Sequence, residues 1–186
     1  VTYRLAFSGD HNPAGLWALL AGTTFDPSQR GRFDYGNIGY NLASILTDHV
    51  WEEAWQDVME RAIFSPAGMR RTAARRSTLE QRGVAIARPH GATPEGVMRL
   101  PLEKSDATMH SAGGVMMSAH DALRWLALLT GHDSGGGRAI APPGLIGQAF
   151  APLASTDSNY EGYARAGYGL GWYSGQFEGR HLVHHF

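Results

Sequence analysis

Apolar residues recur every three or four positions in three stretches of the chain, and this spacing predicts three amphipathic helices. The first follows residue 37, and the second runs over 51–63 until Pro66 and Gly68 interrupt the pattern. The third begins at a capping pattern formed by Ser118 and Asp121. The apolar positions are Ile38, Leu42, Ile45, Leu46, Trp51, Trp55, Val58, Met59, Ala62, Ile63, Leu123, Leu126, Leu128 and Leu129. Helices are therefore predicted to dominate the middle of the chain.

Three tryptophans lie on these helical faces, and Trp51, Trp55 and Trp125 are expected to pack in a core. Residues 73–110 show no sustained periodicity and are predicted to be mostly irregular. A shorter helical stretch is predicted over 142–150, where two prolines start it.

The end of the chain changes character, because two β-prone segments at 168–173 and 180–186 are joined by glycine-rich residues. This arrangement predicts a hairpin. On a strand, His181 and His185 would share one face while His184 would point away. The three histidines have poor metal-ligand spacing and no carboxylate among them, so we predict no metal site.

Composition narrows the possible functions without naming one. The 186 residues carry a formal net charge of −1, so the charge balance does not indicate nucleic acid or an anionic membrane as a partner. The absence of cysteine excludes disulfides and thiolate metal sites. Arg70, Arg71, Arg75 and Arg76 form a local basic cluster, which is expected to be a solvated face rather than an anion-recognition site.

Four short segments carry the most specific signal. They are GRFDYGNIGY at 31–40, IFSPAGMRRT at 63–72, SAGGVMMS at 111–118 and YGLGW at 168–172. In this order they resemble motifs of the serine β-lactamase and penicillin-binding-protein superfamily, in particular of its class C β-lactamase-like esterases and D-peptidases. Ala67 departs from that pattern, which usually has leucine at this position. Each segment alone could arise by chance, so the resemblance depends on their shared order and spacing.

This resemblance implies an α+β fold of the β-lactamase/transpeptidase type, in which a helical region packs on an antiparallel sheet. Residues 1–186 would be part of a single domain, with a mainly helical region at 31–150 and the start of the C-terminal sheet at 168–186. We expect the chain to be an incomplete piece of that fold, because Val1 is not a methionine and the last motif breaks off at Phe186. Such a piece would expose a sheet edge and an apolar helix face.

The resemblance also implies a chemistry, in which a serine hydroxyl attacks an ester or amide carbonyl and forms an acyl-enzyme. Tyr35 then occupies the position of the proton shuttle, and Asn37 that of the substrate clamp. His185 stands where the third catalytic motif begins, with His184 as the alternative. The reaction needs no cofactor, and its substrate would be a small ester, amide or peptide.

The nucleophile motif of that family, Ser-x-x-Lys, is missing from these residues. The only lysine is Lys104, and Pro101 rather than serine lies three positions before it. Ser111 is not an alternative nucleophile of the α/β-hydrolase type. The nucleophile of α/β-hydrolases lies in a Gly-x-Ser-x-Gly turn, and the first glycine of that turn is absent here.

Two glycines and the Tyr-x-Asn pair have simpler explanations beside the functional one. Gly113 and Gly114 are candidates for substrate binding, but a tight backbone turn would also account for them. Tyr35 and Asn37 could form an entry from a loop into a helix, with Asn37 as its cap.

Two functional hypotheses follow from these observations. The first is a fragment of a serine hydrolase, either an esterase or a D-peptidase, whose nucleophile lies outside the chain. The second is a catalytically inactive relative that keeps the pocket for binding or as a scaffold. An unrelated helical interaction domain would require all four motif matches to be coincidence. The pattern indicates neither a compartment nor an oligomeric state.

Overall fold

The computed structural model describes residues 13–24, 26–101, 103–132 and 140–185. The chain divides into two compact units. The first consists of Val1–Thr23 and Gly36–Gly136, and the second of Thr24–Tyr35 and Gly137–Phe186. Within the described ranges, no helix combines the length and apolar character that crossing a membrane requires.

The first unit is mainly helical. Its helices are α1 (Pro13–Ala21), α2 (Asn37–Trp51), α3 (Trp55–Met59), α4 (Arg76–Gln81) and α5 (Ala119–Leu129), with a π-helical turn at Glu60–Phe64 and a 3-10 turn at Asp106–Thr108. Its strands form two antiparallel pairs, β1 (Thr72–Ala73) with β4 (Met116–Met117) and β2 (His90–Thr93) with β3 (Gly96–Arg99).

The core of this unit forms around the π-helical turn. Phe64, Met69 and Ala74 are buried together. The partly buried apolar residues packed against them are Trp55, Met59, Ile63, Ala67 and Trp125. Burying one large apolar side chain contributes about 1.5–3 kcal/mol, so this cluster is a main source of stability for the unit. Trp55 and Trp125 therefore pack against the core, as predicted.

The prediction of one continuous helix over 51–63 is wrong. Helix α2 ends at Trp51, because Glu52 adopts a left-handed conformation with φ of 51°. The carboxylate of Asp48 then accepts a hydrogen bond from the backbone N–H of Trp55 at 2.5 Å, at the start of α3. Burial raises the pKa of Asp48. Trp51 consequently stands at a helix end with 58% of its surface exposed, contrary to the expected core position.

Most of the described residues between 73 and 110 are irregular, as predicted, but the range also contains α4 and the β2–β3 hairpin, which the sequence did not reveal. These elements are four to six residues long, too short for periodicity to reveal. Glu103 connects α4 with the segments around the hairpin, because it forms ion pairs with Arg76 at 2.8 Å, Arg88 at 2.5 Å and Arg99 at 2.6 Å. Hydrogen bonds from Arg99 and Arg76 are the main reason that the pKa of Glu103 falls to about 2.

The second unit is built on a four-stranded antiparallel sheet. The strands are β5 (Ala154–Tyr160), β6 (Tyr163–Tyr168), β7 (Tyr173–Phe177) and β8 (Arg180–His184), which pair in sequence order, and helix α6 (Leu145–Phe150) precedes them. In the register of the last pair, Tyr173 lies opposite His184 and Phe177 lies opposite Arg180. The hairpin predicted for this end of the chain is present.

The sheet begins earlier than the sequence predicted, at residue 154 rather than 168. Residues 154–160 are mostly polar and exposed, and they lack the alternation that identifies a strand. Tyr168 ends β6, and residues 169–172 form the connection to β7 instead of a strand of their own.

Apolar surface is left uncovered on the helices, as expected. Leu123 and Leu126 on α5 are 67% and 53% exposed, and Leu46 and Val50 on α2 are 58% and 68% exposed. Strands β5 and β8 form the two edges of the four-stranded sheet.

Candidate active site

Tyr35 and His185 lie together in the second unit. The hydroxyl oxygen of Tyr35 is 3.2 Å from Nε2 of His185, although 150 positions separate the two residues in the chain. Tyr35 is half-buried, whereas His185 is exposed directly after β8. A hydrogen bond at this distance allows a proton to be held or moved between the phenol and the imidazole.

The ring of Tyr35 is held by a cluster of aromatic side chains. It stacks on Tyr173, with ring centroids 6.4 Å apart and planes inclined by 25°, and it meets the ring of Tyr168 edge-on at 6.2 Å. The ring centroid of Phe33 lies 5.0 Å from that of Tyr168 and 6.1 Å from that of Tyr173. Aromatic pairs of this kind contribute about 0.5–1.5 kcal/mol each beyond their burial. Tyr173 is only 4% exposed and therefore gives Tyr35 a fixed surface to pack on.

Arg165 lies beneath this cluster and was not singled out from the sequence. Its guanidinium carbon is 4.0 Å from the ring centre of Tyr173 and 4.3 Å from that of Tyr160. Its side-chain Nε donates to Nε2 of His184 at 3.4 Å, and the residue is only 8% exposed. A cation so placed over two aromatic faces is attracted by their ring electrons. The sequence signal that could have revealed it is a lone arginine within a tyrosine-rich stretch.

The two adjacent histidines have different surroundings. His184 stacks on Tyr173 with centroids 5.5 Å apart, and it also contacts Tyr163 at 5.5 Å. Burial lowers the pKa of His184, and the charges of Arg165 and His185 lower it further. His184 is thus a neutral packing residue, and the geometry favours His185 as the partner of Tyr35.

The third histidine has yet another partner, because Nε2 of His181 lies 3.1 Å from the hydroxyl of Ser174. No group of three or more potential metal ligands occurs in the part of the chain that the structure describes. The three histidines therefore do not converge on one point.

Stability near neutral pH should depend on His184. Its pKa lies below the ordinary 6.5 in the folded chain, so the unfolded chain takes up the proton first when the pH falls. We expect stability to be fully present above pH 6.5 and to decrease on acidification below it. His184→Phe should keep the ring contacts and reduce this dependence. Urea unfolding between pH 5.5 and 8 measures it, and an identical pH profile for both proteins would contradict the assignment.

Asn37 belongs to the first unit, where it is the first residue of α2 and is half-buried. Asn41 and Ser44 follow it at positions i+4 and i+7, so the three residues share one helical face. Asn41 is buried. The hydroxyl of Ser111 lies 3.1 Å from the side-chain oxygen of Asn41 and 2.9 Å from the hydroxyl of Ser44. The Asn37 face of α2 is therefore the face that anchors the segment around Ser111.

The double glycine follows that anchor in the same unit. Gly114 is buried, and a side chain there would collide with the carbonyl oxygen of His110. Gly113 is exposed, with φ of 151°, and its N–H donates to the same carbonyl at 3.1 Å. Close backbone approach thus accounts for Gly114, while a substrate-binding role for Gly113 and Gly114 stays a prediction.

Comparison with known proteins gives one family and a group of similar folds. The sequence model of the family described as Beta-lactamase matches residues 1–186. An octameric penicillin-binding protein homologue from Pyrococcus abyssi is 20% identical, with 92% of this chain and 37% of that one covered and a TM-score of 0.73. A D-amino acid amidase from Ochrobactrum anthropi is 19% identical, with 97% and 50% covered and a TM-score of 0.68.

A D-stereospecific amidohydrolase from Streptomyces is also similar, with 18% identity, 98% of this chain and 50% of that one covered, and a TM-score of 0.63. A search of curated protein sequences found no match. At these identities the likeness shows the fold, and the predicted α+β fold of the β-lactamase/transpeptidase type is confirmed. The chain spans half or less of the length of these three structures.

Proposed function

The chain belongs to the β-lactamase family, and from that membership we propose that it is part of a serine hydrolase acting through an acyl-enzyme. The observation that carries the proposal is the contact between Tyr35 and His185. Two motif positions 150 residues apart meet at 3.2 Å, which is the distance that proton transfer requires.

Tyr35 would transfer the proton during acylation. As a phenolate it would accept the proton of the attacking serine, and it would then donate that proton to the leaving oxygen or nitrogen. A protonated His185 would donate its Nε2–H to the Tyr35 oxygen and so stabilise the phenolate. The aromatic cluster around Tyr173 holds the phenol ring in position for both steps.

Asn37 would fix the substrate. Its side-chain amide offers both a donor and an acceptor on a short stem, which suits an amide or carbonyl of the acyl portion. Its place at the first turn of α2 gives the side chain a rigid base.

The proposed substrate class is a small ester, amide or peptide. Two similar structures are an amidase crystallised with L-phenylalanine amide and a D-stereospecific amidohydrolase, which supports amide bonds. The chemistry proceeds through protein side chains, so we propose no cofactor.

A second function is favoured by one observation, the absence of Ser-x-x-Lys from all 186 residues. On that basis the chain would be a catalytically inactive relative that uses the pocket for binding or as a scaffold. The two functions make opposite predictions for the coding region outside Val1 and Phe186.

We expect the complete coding region to contain a Ser-x-x-Lys before Val1 and a glycine directly after Phe186. The complete protein should then form a covalent adduct with a serine-reactive fluorophosphonate, which intact-mass spectrometry detects. The control is the same protein with that serine replaced by alanine, which should stay unlabelled. A start codon at Val1 together with no adduct would remove the hydrolase proposal and favour the binding role.

A further inference from the structure

The structure divides the basic cluster at residues 70–76 into two pairs. Arg75 forms an ion pair with Asp57, and Arg76 pairs with Glu80 and Glu103, both at 2.8 Å. Within the described ranges, Arg70 and Arg71 have no carboxylate partner. The charges of Arg75 and Arg76 are therefore balanced by carboxylates, whereas those of Arg70 and Arg71 are not.

A third arginine comes from helix α5 to the same place. Arg124 lies against Gly68, where an added Cβ would stand 3.1 Å from its Nη1 atom, and Gly68 has φ of 67°. In the described part of the chain, Arg124 has no carboxylate partner either. Arg70, Arg71 and Arg124, with His120, Gly68 and Asp121, line a pocket of about 430 Å³, which we call the arginine pocket.

The backbone beneath this pocket is fixed by hydrogen bonds. The N–H of Arg71 donates to the Asp121 carboxylate at 2.7 Å, and its carbonyl accepts from the N–H of Ser118 at 3.2 Å. Asp121 is 1% exposed and also accepts from the hydroxyl of Thr72 at 2.9 Å. Its carboxylate is thus bound by the backbone of Arg71 and the hydroxyl of Thr72, with Nδ1 of His120 3.3 Å from its other oxygen, rather than by the guanidinium of Arg71 or Arg124. The start of α5 adds a further partial positive charge at this place.

We propose that the arginine pocket binds the phosphoryl group of a small molecule or lipid. Three guanidinium groups around one pocket repel each other, and a ligand with two negative charges relieves more of that repulsion than a single carboxylate does. The planar guanidinium also matches phosphate oxygens with two parallel hydrogen bonds. The pocket volume lies within the range of about 300–1,000 Å³ that small-molecule sites occupy. The proposal does not depend on hydrolase activity.

The test uses the full chain and inorganic pyrophosphate, with binding measured by isothermal titration calorimetry. We expect Arg71→Gln and Arg124→Gln each to weaken binding at least tenfold, and added salt to weaken binding to the unsubstituted chain. Neither change touches the backbone bonds of Arg71, and thermal unfolding checks that each variant folds. Arg30→Gln is the matched control, because Arg30 is exposed, carries the same charge and lies outside the pocket. It should leave the affinity unchanged.

Two further ligands identify the source of the phosphoryl group. Binding of a soluble sugar phosphate but not of vesicles containing phosphatidic acid would assign a small metabolite. Binding of those vesicles in preference to vesicles of neutral lipid would assign a lipid headgroup. The proposal is overturned if pyrophosphate does not bind, if succinate binds equally well, or if Arg30→Gln causes the same loss as Arg71→Gln.

Discussion

Replacing Tyr35 by phenylalanine in the complete protein is expected to lower kcat/KM by about 10²- to 10⁴-fold, the contribution typical of a positioned general acid or base. The substitution removes only the hydroxyl that lies 3.2 Å from His185. It keeps the ring that stacks on Tyr173 and meets Tyr168, so the local packing should survive. The loss should appear in kcat, since the hydroxyl acts in the transition state rather than in substrate binding.

Steady-state hydrolysis of an amide and of an ester with a good leaving group measures this effect. The ester should suffer less, because its leaving oxygen depends less on a donated proton. Tyr168→Phe is the matched control, because it removes a phenol hydroxyl from the same aromatic cluster without removing the contact to His185. Unchanged kcat/KM in Tyr35→Phe, in a protein that still forms the serine adduct, would exclude Tyr35 as the shuttle and leave the hydrolase proposal intact.

The motifs predicted the fold well because they mark backbone features that local chemistry controls. Ser118 does cap α5, with its hydroxyl accepting from the N–H of Asp121. Gly114 stands where no side chain fits. Motif order also singled out Tyr35, but it left His185 and His184 as alternatives, and the contact of Tyr35 with His185 is visible only in the folded chain.

Other features depend on contacts that no sequence window contains. The helix break after Trp51 arises from a left-handed Glu52 and from Asp48, which reaches seven residues along the chain to the N–H of Trp55. Apolar periodicity continues across this break and so conceals it. Arg165 was missed for a similar reason. Its partners come from three strands, with Tyr160 on β5, Tyr173 on β7 and His184 on β8. Only the folded sheet brings them together.

Replacing Asp121 by alanine is expected to lower the free energy of unfolding by about 3 kcal/mol, because it leaves one buried and one partly buried donor without an acceptor. These donors are the backbone N–H of Arg71 at 2.7 Å and the hydroxyl of Thr72 at 2.9 Å. Thr72 is 0% exposed, so water cannot replace the lost carboxylate. For a chain of this length such a loss corresponds to a melting temperature lower by roughly 6–12 °C.

Asp57→Ala is the matched control for this prediction, because it removes an exposed carboxylate instead of a buried one. Asp57 is 50% exposed and bonded to Arg75, and exposed ion pairs contribute only about 0–1 kcal/mol. Asp121→Asn should fall between the two, because its remaining oxygen can still accept from one of the two donors. Thermal and urea unfolding of the three variants measures the order. If Asp121→Ala were no more destabilising than Asp57→Ala, the Asp121 contacts would not hold β1 to the start of α5. The fixed backbone beneath the arginine pocket would then lose its physical basis as well.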